Sequence, residues 1–196
     1  MKSPYAGLPV EKWEKKTRQL IKEHPLDPDE IFQVAIKVWN DIFESGIGSK
    51  PFKIGVDLFP RPQIMAFLLH ELIPLEFAQR YPTLWRREQT TDEKDLVYIP
   101  EPYYSTEIKA SSSARKIYGN RSYTQETHKP KKSKSGYYLA INFQKFGTKR
   151  EPGIRLIRFG WLDHSDWIGQ KAATGQKASL SPDVENYKLL ELPLQG

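Results

Sequence analysis

Two carboxylates and an ammonium group stand in a spacing suited to phosphate chemistry: Asp95, then Glu107-Ile108-Lys109 twelve positions further on. Side chains alternate between the faces of a strand, so a strand through Glu107 and Lys109 puts both on one side and Ile108 on the other. An aspartate at the start of the preceding antiparallel strand would stand beside them. Two carboxylates held a few ångströms apart repel, and a divalent cation relieves that repulsion. Mg²⁺ suits such a pocket because it prefers oxygen ligands and keeps several waters, and Mn²⁺ is an expected substitute. The candidate metal ligands are Asp95, Glu107, Ile108 and a further acid from the preceding helix, Glu71 ahead of Glu76. Asp95, Glu107 and Lys109 form the candidate catalytic set, with Lys109 orienting the attacking oxygen and holding a nonbridging phosphate oxygen. Glu-x-Lys by itself also describes an ordinary exposed ion pair on a strand.

The elements that position these residues follow from periodicity. Val10 to Glu23 interleaves charges with Trp13, Leu20 and Ile21, as an amphipathic helix does, and His24-Pro25 ends it. Asp27-Pro28-Asp29-Glu30 opens a second helix with a carboxylate cap, proline at the first position and acid in the first turn. A third is expected from Arg61-Pro62 through Ile73, with a kink or break at Pro74. After Asp92 the period shortens. Leu96–Ile99 and Tyr103–Ile108 read as strands joined by a Pro-Glu-Pro turn, Ser113–Gln125 as a helix weakened by Gly119-Asn120, and Tyr137–Phe143 and Ile154–Trp161 as strands. Asn186–Leu192 reads as an edge strand. This order predicts an α/β fold, a central mixed sheet with helices on both faces and a helical N-terminal segment. One domain over residues 1–196 is expected, with residues 1–50 its helical portion and 90–180 its catalytic and recognition core.

Charge is distributed unevenly along the chain. The formal net charge is +6, yet residues 112–150 hold ten Lys or Arg against the single acid Glu126, a local balance of +9. Such a segment next to an acid-bearing hairpin suits a polyanionic partner; a solvated basic loop would have the same composition. The absence of cysteine excludes disulfides, thiolate zinc sites and thiol catalysis. His70-Glu71 lacks the second histidine of a zinc protease, and neither a Gly-x-Ser-x-Gly elbow nor a Gly-Lys-Ser/Thr phosphate loop occurs. No signal-like opening and no run of membrane-spanning length is seen, so a cytoplasmic protein with no membrane partner is expected.

Asp95 and Glu107-Ile108-Lys109, followed by Ala110-Ser111-Ser112-Ser113, resemble the active-site hairpin of the PD-(D/E)xK endonucleases, with Lys94-Asp95 where the family has Pro-Asp. Tyr118-Gly119-Asn120-Arg121-Ser122-Tyr123, the string from Gly160 to Gln170, and Thr174-Gly175-Gln176 are similar to those of the ScaI-type restriction endonucleases. The resemblance implies a restriction-endonuclease-like core and Mg²⁺-dependent cleavage of double-stranded DNA at a short palindromic site. It also implies a homodimer and a companion DNA methyltransferase in the host. Asn120, Arg121, Ser122 and Gln125 are candidate DNA contacts: Arg offers a donor fork to guanine and Asn or Gln pairs with adenine. Arg121 serves equally well as a phosphate clamp or an ion-pair partner. Ser111 and Ser112 join the DNA candidates. Lys131, Lys132 and Lys134 are expected to track the phosphate backbone, while Gln170, Thr174, Gln176 and Lys177 suit a second recognition patch. His164 is read either as a DNA contact or general base, or as part of an Asp-capped turn. Two other functions fit the same residues: a structure-specific nuclease such as a junction resolvase or repair nickase, and a non-catalytic DNA-binding module. Clustered acids facing phosphate argue against the latter.

Overall fold

Helix α2 (Pro28–Glu44) shows how closely local chemistry sets these elements. Asp27 caps it by accepting from Asp29 N at 2.8 Å and Glu30 N at 3.3 Å, and Pro28 occupies its first turn. Its buried residues Ile31, Val34, Ala35, Val38, Trp39 and Ile42 form one stripe at helical spacing. Helix α1 (Trp13–Glu23) buries Thr17, Leu20 and Ile21. Helix α3 (Pro62–Arg80) buries Met65, Leu69, Ile73 and Phe77 at every fourth position and runs through Pro74 without ending there. The expected break is therefore absent; the apolar stripe continues across the proline and holds the second half of the helix against the sheet. The computed structural model describes residues 3–124, 133–147, 152–171 and 175–194.

The helices pack on a mixed six-stranded sheet of β3 (Trp85–Arg87), β4 (Leu96–Tyr98), β5 (Thr106–Ser111), β7 (Gly136–Phe143), β8 (Ile154–Leu162) and β11 (Leu189–Glu191), ordered β11-β8-β7-β5-β4-β3. Strands β5 and β7 are parallel, Glu107 opposite Tyr138 and Lys109 opposite Ala140; the other pairings are antiparallel. All eight residues of β7 are buried, as a central strand covered on both faces requires. A two-stranded hairpin, β1 (Gly46–Ile47) and β2 (Phe52–Lys53), follows α2.

The second face of the sheet departs from the expected pattern. A three-stranded antiparallel sheet, β6 (Tyr118–Asn120), β9 (Trp167–Gly169) and β10 (Lys177–Leu180) in the order β6-β10-β9, covers it together with helix α4 (Pro182–Tyr187). Ser113–Gln125 is thus not a helix: its described part, through Thr124, holds β6 and a 3₁₀ turn, Arg121–Thr124. Gly119 explains why, since a Cβ there would lie 3.0 Å from the Tyr123 ring and 3.2 Å from Trp167. The glycine that weakens the helix is the one that lets two aromatic rings close over the strand. Asn186–Leu192 is likewise divided between the end of α4, whose N-cap Ser181 accepts from Val184 N at 3.4 Å, and a shorter edge strand, β11. Beside it β8 approaches Lys188 so closely that a Cβ on Gly160 would stand 2.0 Å from its carbonyl. Strand β5 begins at Thr106 rather than Tyr103, because Pro102–Tyr104 forms a 3₁₀ turn. No described helix is long and apolar enough to cross a membrane.

Candidate active site

Strand β5 alternates as its sequence requires. Ile108 enters the core among the helices, fully buried, while Glu107 and Lys109 face the small sheet. Glu107 is only 2% exposed, so its charge must be met within the protein. Its Oε1 accepts from Lys109 Nζ at 2.7 Å and from the Tyr123 hydroxyl at 2.5 Å. Burial, and then the Glu107 carboxylate, push the Tyr123 phenol's pKa far up, so the hydroxyl stays protonated and donates.

Asp95 lies immediately before β4, and its Oδ2 accepts from Ile108 N at 2.6 Å. That bond fills a place a strand partner would take, because β4 pairs with β5 only at Leu96 and Thr106. In a strand the N–H and C=O of one residue point to the same edge, so the Ile108 carbonyl faces the edge at which Asp95 sits. Asp95 also lies on the Glu107 face by alternation, since Leu96 is buried among the helices. The negative field of Asp95 adds to that of Glu107 at the Tyr123 phenol. Two carboxylates and one main-chain carbonyl, all hard oxygen donors, thus flank a single strand edge. They fit a cation such as Mg²⁺ in kind. Among the described residues, no three His, Asp or Glu side chains already stand close enough to hold a metal. The third donor there is main-chain oxygen, a type that a count of side chains omits.

Asp95 opens onto a cavity of about 340 Å³ lined also by Phe67, His70, Glu71, Arg87 and Glu88. His70 Nδ1 is 3.6 Å from Asp95 Oδ2. Glu71 shares this cavity and pairs with Arg87 at 2.8 Å, whereas Glu76 bridges Lys37 and Arg80 on the surface of α2 and α3. Sequence reasoning reaches His70 only through the zinc-protease pattern it rejects, and does not reach Glu88. Glu88 stands just beyond β3, whose short run of Trp-Arg-Arg offers little alternation to read.

Most of the described DNA-contact candidates fall on or beside the small sheet. Asn120 and Lys177 are directly opposed and both exposed. Arg121 N donates to Gln176 O at 2.7 Å, and Gln170 N to Lys177 O at 2.9 Å, so Arg121, Gln170 and Gln176 are fastened to the same sheet. Ser122 is exposed in the 3₁₀ turn that follows. Ser111 ends β5 and turns back through its Oγ, which accepts from Ser113 N at 3.1 Å; Ser112 follows, partly exposed. Lys134 packs inward, with Nζ 4.4 Å from the centre of the Tyr123 ring. His164 begins a 3₁₀ turn held by a reciprocal Asp163–Asp166 cap, and its N–H donates to Ser135 Oγ at 3.0 Å. The capped turn is present, and His164 is half-buried within it. Gln125, Lys131, Lys132 and Thr174 lie outside the described residues. Sequence reasoning missed Tyr123, although it stands two positions beyond Arg121 in the string that carries the recognition candidates.

Comparison with known proteins places the whole chain in one family. The profile of the ScaI restriction endonuclease family matches residues 3–193. The type II restriction enzyme ScaI of Streptomyces caespitosus is 49% identical across 99% of this chain and 86% of its own length.

Proposed function

This chain belongs to the ScaI restriction endonuclease family, and on that premise we propose that it is a type II site-specific deoxyribonuclease acting on double-stranded DNA. The observation that carries the catalytic assignment is the bond from Ile108 N to Asp95, which brings the aspartate to the strand holding Glu107 and Lys109. Asp95, Glu107 and the Ile108 carbonyl would hold Mg²⁺, or Mn²⁺ in its place, and Glu71, which lines the same cavity as Asp95, would be the further ligand. Bound there, the cation supplies Lewis-acid activation of water and charge neutralisation at the phosphate. Lys109 is the member of the set whose charge a phosphate would compete for. It spends its charge on Glu107 in the DNA-free protein and turns to a nonbridging oxygen when the scissile phosphate arrives. Asp95, fixed by the main chain, does not move with it.

Asn120, Arg121, Ser122, Gln125, Gln170, Thr174, Gln176 and Lys177 read or clamp the target, Ser111 and Ser112 border the cleaved strand, and Lys131, Lys132 and Lys134 neutralise backbone phosphates. A short palindrome is the expected target, read by a homodimer in a cytoplasm that also holds a protecting methyltransferase. Incubating plasmid DNA with the protein and Mg²⁺, then sequencing the fragment ends, tests this reading. Ends at one short repeated sequence support it. Ends scattered without sequence preference, or confined to branched DNA, contradict it.

A further inference from the structure

Tyr123 stands between the two parts of the proposed machinery. Its main chain belongs to the 3₁₀ turn that begins at Arg121, whose N–H is bonded to Gln176 beside β10. Its ring is fixed within the small sheet's packing: it meets Trp167 of β9 edge-on at 5.1 Å and lies over Gly119 of β6. Its hydroxyl reaches out of that layer to Glu107 Oε1, the oxygen to which Lys109 also donates. The rings and cations around it are equally shared, with Lys109 Nζ 4.9 Å and Lys134 Nζ 4.4 Å from the ring centre. A displacement of the small sheet would therefore be felt at the Glu107 carboxylate through the Tyr123 hydroxyl.

We infer that Tyr123 is a positioning residue that couples target recognition to cation capture: its hydroxyl holds Glu107 toward the small sheet until the correct sequence moves that sheet. The inference rests on the nuclease reading above and adds the route by which sequence reaches chemistry. A carboxylate oxygen already accepting from a hydroxyl and an ammonium is a poorer cation ligand than one released from the hydroxyl. The ring provides the lever, since Phe in its place would keep the packing against Trp167 and Gly119 and lose only the bond.

The test uses the full chain with Tyr123→Phe. Mn²⁺ affinity of the DNA-free protein is measured by titration calorimetry. Cleavage rates are then compared between the wild-type protein's own mapped site and the same site with one base pair changed. About tenfold tighter Mn²⁺ binding without DNA is expected, with a fall of about tenfold in the ratio of the two rates, the size of an ordinary coupling between sites. A packing role alone moves neither quantity. Gly119→Ala provides a second perturbation that leaves the hydroxyl in place but presses a methyl on the ring, and it should shift both quantities the same way by less. An unchanged or weaker Mn²⁺ affinity in Tyr123→Phe, or an unchanged rate ratio, overturns the coupling. Should Tyr123→Phe not fold, the same null results in Gly119→Ala overturn it. Discrete wild-type ends with an unchanged ratio remove Tyr123 alone; wild-type protein that makes no discrete ends removes the nuclease reading with it.

Discussion

On the helical face of the large sheet, Ile108, Leu139, Ile141, Phe159 and Trp161 meet α1, α2 and α3 in an apolar core. On the opposite face the intervening residues are Glu107, Lys109, Tyr138, Asn142 and Arg158, most of them equally buried. The same strands supply both layers by alternation, but the physics differs. Burial of carbon on the first face is stabilising in itself. On the second, each buried polar group is tolerable only with partners, and the partners serve as positioning devices. Arg158, fully buried, reaches the carbonyls of Arg115 and Glu185 and the Asn142 side chain, while Asn142 Nδ2 donates to the carbonyls of Ser113 and Lys116, both at 3.1 Å. These two residues thereby fix the segment leaving β5. The first face carries the larger apolar core; the second combines a smaller one, including Tyr138, Leu162 and Trp167, with the buried polar groups of the proposed site.

Substitutions on the two faces should separate accordingly. Asp95→Ala should reduce Mg²⁺-dependent cleavage at least about a thousandfold, roughly 4 kcal/mol in the barrier, with a smaller loss of about 1–3 kcal/mol in stability because the Ile108 N–H loses its acceptor. Unchanged metal dependence in a cleavage titration would remove Asp95 from the site. Phe77→Ala, on the helical face, should do the reverse: a loss of about 3–5 kcal/mol in urea unfolding, with cleavage at low temperature retained. If cleavage is lost first, the separation of the faces is wrong.

His24 offers a pH test confined to the helical side. It is buried among Trp85, Tyr104, Tyr137 and Phe159, and burial holds its pKa down at about 4. The unfolded chain takes up this proton near pH 6.5 and the folded one only near 4, so its contribution is intact above about pH 6.5 and drains away as pH falls toward 4. Stability should decline by up to about 3 kcal/mol across that window, and less in His24→Gln. Equal acid sensitivity in the two proteins would assign the effect elsewhere. Asn142→Leu, on the polar face, should cost about 1–3 kcal/mol because it strands two carbonyls and an arginine; a neutral result in urea unfolding would mean the segment after β5 holds without them. The smallest effect concerns binding alone. Replacing Lys131, Lys132 and Lys134 with Gln should lower the salt slope of duplex affinity by up to about 3. An unaltered slope would place these lysines away from phosphate.

Much of this division was legible in the residues. The Asp27-Pro28 cap, the helical stripes and the alternation around Ile108 all express local rules, and the elements follow them in type, though α3 runs on past Pro74 and β5 starts at Thr106. The small sheet was not legible, because its strands are only three or four residues long and contribute one or two buried residues each, in β6 only a glycine. A period of two cannot declare itself over so short a span. Ser113–Gln125 misled for a related reason: Gly119 is there for Tyr123 and Trp167, contacts that exist only once distant segments meet. The proposed catalytic trio could be named from spacing together with the family resemblance, whereas the contacts of Tyr123 arise only from tertiary packing.

The most direct trial of the central claim is cleavage and duplex binding by Lys109→Ala, measured side by side with the wild-type protein at saturating Mg²⁺. Loss of the ammonium should slow strand cutting by about a hundredfold to a thousandfold, while affinity for the duplex holds within a small factor. Cutting at the wild-type rate would contradict the placement of the chemistry on β5.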